Sequence, residues 1–361
     1  FPQQSVSRES EQRLMPKISA IRNQSDANYW FKTKQLMSKG DSLQMLLPPS
    51  YPGASLLQFI GGLFLKRAEK IERNHRQVRY IQAKKGVCLS TGGFIFNRAM
   101  GKEYAPKYFA GMPLGTSNDQ GSGIRLGQSV GGETDHMDRV TAWRFLNPPL
   151  AFAQGMVVNQ AGKRFCNEMV YGATLGDAMC ENNEGKAYLV LDAALYDEAK
   201  KQASVALPFQ RDMARMLMYF NSRKKSTIED LAKVYGIPIE DLSLSLEEYN
   251  QSAQNKMPCK FGKAAEDVKE LKGPFYIMDI SIDSKLAPLT TLTLGGLKVN
   301  EETGEVLNLE GKEIRGLYAA GRTAVGVCSN IYVSGLSIAD CIFSGRRIGQ
   351  NLDIKEVNHG I

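Results

Sequence analysis

Two segments in the last fifth of the chain give its clearest structural signal, GLYAAGR at residues 316–322 and SNIYVSGLSIAD at residues 329–340. The first segment continues an apolar run from Ile314 and predicts a buried strand that ends on Gly321-Arg322. Small and apolar residues from Gly335 to Gly349 predict a long helix after the loop. A helix N-terminus presents unpaired N–H groups and a partial positive charge, so this strand–glycine–helix corner favours a nearby anion.

A second strand–glycine junction lies earlier, where residues 86–90 (GVCLS) lead into Thr91-Gly92-Gly93. The apolar run predicts a fully buried strand of an α/β sheet, and the glycine pair allows close approach of the backbone to a ligand. Residues 121–132 (GSGIRLGQSVGG) are also rich in glycine, but their G-x-G-x-x-x-G spacing does not match a dinucleotide fingerprint. We expect a closely packed helix there.

The character of the chain changes between about residues 139 and 281. Strand-like segments at 155–159 and 187–191 alternate with helical ones such as 207–220. A capping sequence at residues 226–229 (STIE) predicts the start of a further helix. This part of the chain is therefore expected to form a separate α+β unit.

A turn at residues 236–238 and a helix expected over 245–252 could complete a DNA-reading helix-turn-helix. Glu247 and Glu248 on that helix would repel phosphate, so we favour an insert packed on a larger domain. The predicted division is a first part of a ligand-binding domain, an inserted unit, and the second part of that domain: residues 1–138, 139–281 and 282–361.

Composition excludes several classes of protein. Apolar residues make up 43% of the 361 residues and charged residues 23%, which is typical of a globular chain. The net charge of +7 is spread thinly, without a basic arm, so no nucleic-acid partner is expected. No apolar run reaches the ~20 residues of a membrane span; the nearest, residues 51–65, predicts a buried helix.

The six cysteines occur singly and the three histidines are scattered. This arrangement argues against a disulfide scaffold and a metal site, and it favours a reducing, cytoplasmic location. His136, close to Asp135 and Asp138, is the one histidine for which a metal or catalytic site is still compatible with the sequence.

Four motifs occur in an order that resembles the FAD-dependent oxidoreductases of the fumarate reductase type: TGGF, GGL, GLYAAGR and SNIYVSGLSIAD, at residues 91–94, 295–297, 316–322 and 329–340. Within that group the chain is most similar to the 3-ketosteroid Δ4-(5α)-dehydrogenases. GKRFCNE with Tyr171-Gly172, and residues 344–347 (SGRR), fit the same comparison. The resemblance covers roughly residues 86–349.

The resemblance implies an α/β fold: a Rossmann-like FAD-binding domain, truncated at its N-terminus, with an inserted α+β substrate-capping domain. Enzymes of this type open with a strand, a GxGxxG turn and an acidic residue that hold the ADP half of FAD, and these residues contain no such turn. The implied cofactor is FAD. The residues that would bind it are Gly92, Gly93, Gly321, Arg322, Gly335, Leu336, Ser337 and Ile338.

By the same resemblance, the reaction is dehydrogenation of a CH–CH bond beside a 3-keto group, on a small apolar, steroid-like ketone. Tyr332 would donate to the ketone and stabilise the enolate, and Ser334 would take the α-proton. Tyr171 would relay that proton towards solvent. The three roles could be exchanged among these residues, and the electron acceptor that reoxidises FAD is not identified by the motifs.

Other functions remain open at this stage. In fumarate reductases a histidine-rich segment precedes the Gly-Gly turn and arginines bind the dicarboxylate. Here residues 290–294 (TTLTL) precede Gly295, and Asn330-Ile331-Tyr332 stands where an arginine is expected, so an apolar substrate fits better. A 3-ketosteroid Δ1-dehydrogenase is another alternative, as is a flavin-free remnant or binding protein of the same fold.

Overall fold

The computed structural model describes four ranges of the chain: residues 54–75, 81–206, 208–287 and 289–357. The sequence also predicts a strand over residues 77–83, from its apolar pattern. Most of that segment lies outside these ranges, and residues 81–83 are not in a strand. The helix expected near residues 51–65 begins at Ala54 within the described part and continues to His75.

The described ranges contain ten α-helices and twelve short strands. The helices are α1 (Ala54–His75), α2 (Arg98–Tyr104), α3 (Ser122–Gln128), α4 (Leu150–Ala153), α5 (Gly172–Asn182), α6 (Ala193–Val205), α7 (Pro208–Met216), α8 (Ile228–Lys233), α9 (Ile239–Gln254) and α10 (Leu336–Val357). The strands are β1 (Val87–Leu89), β2 (Met112–Pro113), β3 (Thr134–Asp135), β4 (Val140–Trp143), β5 (Met156–Val158), β6 (Tyr188–Asp192), β7 (Ser222–Lys225), β8 (Phe275–Asp279), β9 (Thr290–Thr293), β10 (Gly296–Leu297), β11 (Glu305–Leu307) and β12 (Glu313–Ala319).

The predicted glycine-ended strands lie side by side. They form a sheet of order β1–β12–β11, in which β1 and β12 are parallel and Leu89 lies opposite Ala319. The prediction that β1 is fully buried is wrong, because Val87 and Cys88 are exposed and only Leu89 is buried. Within the described residues β1 is an edge strand with β12 as its neighbour, so part of its surface stays open.

The central region forms an antiparallel sheet of order β5–β6–β8–β7, with α5 to α9 in the same stretch of chain. The central strand β6 is buried along its whole length. A third sheet, of order β2–β9–β4, contains strands that lie on either side of this region in sequence. In that sheet β4 is antiparallel to β9, and Trp143 lies opposite Thr290.

A local signal predicted one helix boundary correctly, whereas another helix begins earlier than expected. Thr227 caps α8 by accepting a hydrogen bond from the backbone of Asp230, as expected for a capping sequence. The helix expected over residues 245–252 begins earlier, at Ile239, because Pro238 has the fixed φ that suits a helix start. None of the helices in the described ranges has the length and apolar character that crossing a bilayer requires.

Candidate active site

Two of the predicted catalytic side chains meet directly, although 163 positions separate them in sequence. The hydroxyl of Tyr171 lies 2.6 Å from the Oγ of Ser334. The backbone N–H of Ser334 also donates to the Tyr171 hydroxyl at 2.9 Å. The central region and the loop before α10 are therefore connected through one phenol.

The position of Tyr171 follows from two glycines in the helix that it precedes. Leu175 donates its backbone N–H to the carbonyl oxygen of Tyr171, which begins α5. A Cβ on Gly176 would lie 1.8 Å from the carbonyl oxygen of Ala142, and a Cβ on Gly172 would lie 2.7 Å from the ring of Phe145. Without side chains at these positions, α5 lies directly against β4 and presents Tyr171 at its first turn.

Tyr332 lies in an apolar environment on the loop before α10. It is 9% exposed and packs with Leu292 and Leu294. Its ring centroid is 4.8 Å from that of Trp143, at an interplanar angle of 58°. Within the described residues the Tyr332 hydroxyl forms no hydrogen bond, so its O–H is available as a donor to a ligand.

The loop that carries Tyr332 and Ser334 is fixed by polar contacts upstream. The Ser329 hydroxyl donates to the Leu294 carbonyl oxygen at 2.7 Å, and the N–H of Gly326 donates to the Ser329 hydroxyl at 2.9 Å. The Oδ1 of Asn330 lies 2.9 Å from Nε2 of His136. The first of these hydrogen bonds is buried, the second is partly buried and the third is exposed. Together they hold the loop in one arrangement.

The predicted cofactor residues Gly92, Gly93 and Arg322 gather where β1 and β12 end. Nη2 of Arg322 donates to Asp119 at 2.8 Å, whereas its Nη1 is buried and without a partner in the described part of the chain. A Cβ on Gly92 would overlap Asp119, and one on Gly93 would lie 2.2 Å from Oγ1 of Thr293. These glycines therefore allow the strand ends to pack closely against protein atoms.

The first turn of α10 has a different character. Gly335 has φ +87°, no described residue apart from its chain neighbours lies within 4 Å of its Cβ position, and Leu336 begins the helix. Ser337 follows, and Ile338 is 69% exposed. Val333, just before the turn, is also exposed. A helix N-terminus flanked by exposed apolar side chains suits a flat ring with anionic character, as does the unpaired Nη1 of Arg322.

Gly321 lies between the strand-end residues just described and the first turn of α10. It has φ +57°, a backbone conformation that favours glycine, and its N–H donates to the Ser344 hydroxyl of α10. A Cβ there would lie 3.0 Å from Sγ of Cys341. Gly321 thus brings α10 close to the end of β12, which keeps the helix N-terminus near Arg322.

Four residues of the site were not singled out as site residues by sequence reasoning: Asp119, Trp143, Phe145 and Asn330. Asp119 pairs with Arg322, and Phe145 packs edge-on against Tyr171 with centroids 5.7 Å apart. Asn330 contacts His136, which was noted only as a residual metal candidate. In the described ranges no cluster of three or more metal-ligating side chains occurs. The spacing of Trp143 and Phe145 on one extended segment is the signal that could have indicated them.

A family model described as "FAD binding domain" matches residues 58–335, which is more than half of the chain. The chain therefore belongs to this family of FAD-dependent oxidoreductases, and FAD is the family's cofactor.

Two curated relatives and one solved structure illustrate the similarity. The 3-oxo-5-alpha-steroid 4-dehydrogenase of Comamonas testosteroni is 39% identical over 253 residues, covering 69% of this chain and 47% of that protein. The probable fumarate reductase Ifc3 of Shewanella frigidimarina is 29% identical over 280 residues, covering 75% of this chain and 45% of that protein. The chain thus spans less than half the length of these relatives.

The solved structure is that of 3-ketosteroid-Δ4-(5α)-dehydrogenase from Rhodococcus jostii RHA1 in complex with 4-androstene-3,17-dione. It superposes with a TM-score of 0.66 at 26% identity, over 81% of this chain and 63% of that one. The expected family and fold type are therefore confirmed: the chain has the flavoprotein fold shared by ketosteroid dehydrogenases and fumarate reductases.

Proposed function

We propose that this chain carries the substrate-activating site of an FAD-dependent dehydrogenase that oxidises a CH–CH bond beside the ketone of a 3-ketosteroid-like substrate. The observation that carries the proposal is the 2.6 Å contact between the hydroxyls of Tyr171 and Ser334, two residues from the buried Tyr332. The similarity to a 3-oxo-5-alpha-steroid 4-dehydrogenase supports the same substrate class.

Tyr332 is the proposed ketone donor. Its hydroxyl is free of partners in the described part of the chain, and apolar side chains surround its ring. A donor in such an environment stabilises a developing enolate oxygen more strongly than it would in water. By polarising the ketone, Tyr332 makes the neighbouring α-hydrogen acidic enough to be removed.

Ser334 and Tyr171 are the proposed route for the α-proton. A serine hydroxyl alone is a weak base at neutral pH. As the α-proton arrives at Oγ of Ser334, the proton that the serine hydroxyl already carries passes along the hydrogen bond to the phenol oxygen of Tyr171. The phenol then releases its own proton, so both hydroxyls end neutral. Because Tyr171 is 36% exposed, this released proton can pass to solvent.

FAD, when bound, supplies the acceptor for the hydride that leaves the β-carbon. Arg322 and the first turn of α10, from Gly335 to Ile338, are the residues we assign to holding it. The orphaned Nη1 of Arg322 and the lack of other described residues around the Cβ position of Gly335 support this assignment. Gly92, Gly93 and Gly321 support the site indirectly by letting the strand ends and α10 pack closely.

The apolar surroundings of Tyr332 favour a neutral ketone over a dicarboxylate. Its packing partners are Leu292, Leu294 and Trp143, and none of them can neutralise a carboxylate. We further propose that residues 139–281 act as a capping unit inserted between residues 1–138 and 282–361. The contact of Tyr171 with Ser334 supports a role for that unit in closing the site.

The test is an anaerobic titration of the FAD-loaded protein. Addition of a 5α-3-ketosteroid should bleach the oxidised flavin absorption, whereas succinate should leave it unchanged. Bleaching by succinate alone would contradict the proposed substrate class. A protein that cannot be loaded with FAD but still binds the steroid would contradict the enzyme and support a binding protein.

A matched pair of variants sharpens the titration. Tyr332→Phe should lower the rate of bleaching while FAD binding is retained, because only the donor is removed. Tyr235→Phe alters a tyrosine of the central region that stacks on Tyr188, and it should leave the rate unchanged. Equal rates for the two variants would exclude Tyr332 as the ketone donor.

A further inference from the structure

Two aromatic side chains without an assigned role contact the two proposed catalytic tyrosines. Trp143 packs against Tyr332, and Phe145 packs edge-on against Tyr171 at an interplanar angle of 75°. Trp143 is the last residue of β4, and alternate residues of an extended chain face the same side. We propose that this aromatic pair, Trp143 at the end of β4 and Phe145 two residues beyond it, positions both tyrosines for a single ketone. The inference rests on the function proposed above.

The residue between the two rings anchors this segment from the opposite side. Arg144 is buried, and its Nη2 donates to the carbonyl oxygens of Ala287 at 2.6 Å and Ser281 at 3.3 Å. Burial lowers the pKa of Arg144 to about 10, so the group stays charged at neutral pH. The backbone N–H of Arg144 donates to Gly172. The end of β4 is therefore held both to the returning chain and to the start of α5.

Because residue 172 is a glycine, there is room for the contact of Phe145 with Tyr171. A Cβ at Gly172 would lie 2.7 Å from one carbon of the Phe145 ring and 3.0 Å from two others. Any larger residue at position 172 would displace Phe145. The ring of Phe145 is 49% exposed, so little besides the contact with Tyr171 and the lack of a side chain at Gly172 determines its position.

The indole of Trp143 has a feature that packing alone does not favour. Its Nε1 is buried and has no hydrogen-bond partner among the residues that the structure describes. An unpaired buried N–H destabilises a folded protein, so the indole is not the residue that hydrogen bonding alone would favour here. A residue that departs from the stable choice is expected where function needs its shape, and here the shape is the ring surface against Tyr332.

The first test separates positioning from stability. In the FAD-loaded protein, Trp143→Leu should lower kcat about 100-fold, as a misplaced catalytic group does, with a smaller change in KM. Trp143→Phe, which keeps a smaller ring against Tyr332, should restore part of kcat, and its unfolding midpoint should stay close to that of the wild type. The Tyr188–Tyr235 pair, with centroids 4.7 Å apart, provides the control: Tyr235→Leu removes a similar ring contact and should leave kcat unchanged.

A double-mutant cycle then asks whether Trp143 acts through Tyr332. If it does, adding Trp143→Leu to Tyr332→Phe should cause no further loss of kcat. The same holds for Phe145→Leu added to Tyr171→Phe. Losses that multiply in both cycles would overturn the inference, since the rings would then act independently of the tyrosines.

A substrate-free measurement distinguishes this inference from the proposed function. With fluorotyrosine incorporated, the ¹⁹F resonance of Tyr332 is the one that disappears in Tyr332→Phe. Trp143→Leu should shift that resonance, and Tyr235→Leu should not. If the wild type does not oxidise a ketosteroid, the proposed function fails while this shift still tests the contact. An unshifted resonance in Trp143→Leu would overturn the positioning role.

Discussion

The buried interior is distributed unequally between the central region and the C-terminal unit of β12 and α10. The largest core cluster runs from Ile95 to Leu289 and includes most of β6. Around α10 the clusters are small, such as the one formed by Tyr318, Ala320 and Ile348. On the other face of α10, Ile342 and Phe343 are 59% and 54% exposed.

The two regions also differ in how their buried charged side chains are paired. The central region buries Arg164, Glu168 and Lys263 together, with Lys263 donating to Tyr249 at 2.8 Å. The site in the C-terminal unit has one ion pair, Arg322 with Asp119, that leaves a guanidinium nitrogen unpaired in the described structure. In the central cluster the buried charges therefore neutralise one another, whereas at the place we assign to the cofactor a guanidinium nitrogen is left without a partner among the described residues.

The largest expected effect comes from breaking the buried charge cluster. Glu168→Ala leaves Arg164 and Lys263 buried without their carboxylate, which should lower the free energy of unfolding by about 3–5 kcal/mol. Urea unfolding measures the loss. Glu248→Ala, which removes an exposed partner of Lys260, should cost at most ~1 kcal/mol. Similar losses for both variants would contradict the contrast between the regions.

The next effect is on catalysis. Tyr332→Phe should lower kcat by about 10²–10³-fold, because the donor to the developing oxyanion is lost. The unfolding midpoint should hardly change, since the hydroxyl forms no hydrogen bond within the described residues. Steady-state kinetics and urea unfolding on the same preparation check both parts. A fall in kcat matched by a comparable fall in stability would contradict the assignment of the Tyr332 hydroxyl to catalysis rather than to folding.

A smaller effect on stability is expected when side chains on the two faces of α10 are shortened. Ile348 is 3% exposed and Ile342 is 59% exposed. Ile348→Val should therefore cost about 0.5–1.5 kcal/mol through the loss of a buried methyl group. Ile342→Val should have almost no effect on thermal unfolding. If Ile342→Val proved as destabilising as Ile348→Val, its face would have to be covered in the folded protein.

The smallest effect is a dependence of stability on pH. Burial lowers the pKa of Lys263, although the Glu168 carboxylate opposes this shift. The unfolded chain then binds more protons than the folded one between the two pKa values, so stability rises with pH in that window. Wild-type protein should thus gain stability relative to Lys263→Met as pH increases towards about 10.5. An unchanged difference between the two curves would contradict the lowered pKa.

The C-terminal corner was predictable because its signals are local. The apolar run through Leu317 and the small residues after Gly335 determine a strand and a helix without reference to distant parts of the chain. The exposure of Val87 was not predictable from the same kind of pattern, because burial of an apolar strand depends on which neighbours it acquires. Hydrophobic periodicity predicts that a strand forms, but it does not predict which position the strand takes in the sheet.

The site was predictable only in part. Tyr171, Tyr332 and Ser334 could be put forward as site residues only through resemblance to a family, since no local pattern links Tyr171 to Ser334, 163 positions away. The contacts of Trp143 and Phe145 with the two tyrosines were not predicted, because they depend on how β4 meets α5 and the loop before α10. Those contacts require Gly172 and Gly176 to have no side chains, a steric condition that becomes visible only in three dimensions.

In the proposed reaction Ser334, connected to Tyr171, removes the α-proton of a ketone activated by Tyr332. The most direct test of this step is deuterium exchange at the α-carbon of a 5α-3-ketosteroid in D₂O, with the flavin kept reduced so that no hydride can be transferred. The wild-type protein should exchange the α-hydrogen, and Ser334→Ala should not. Exchange at the wild-type rate in Ser334→Ala would contradict the account.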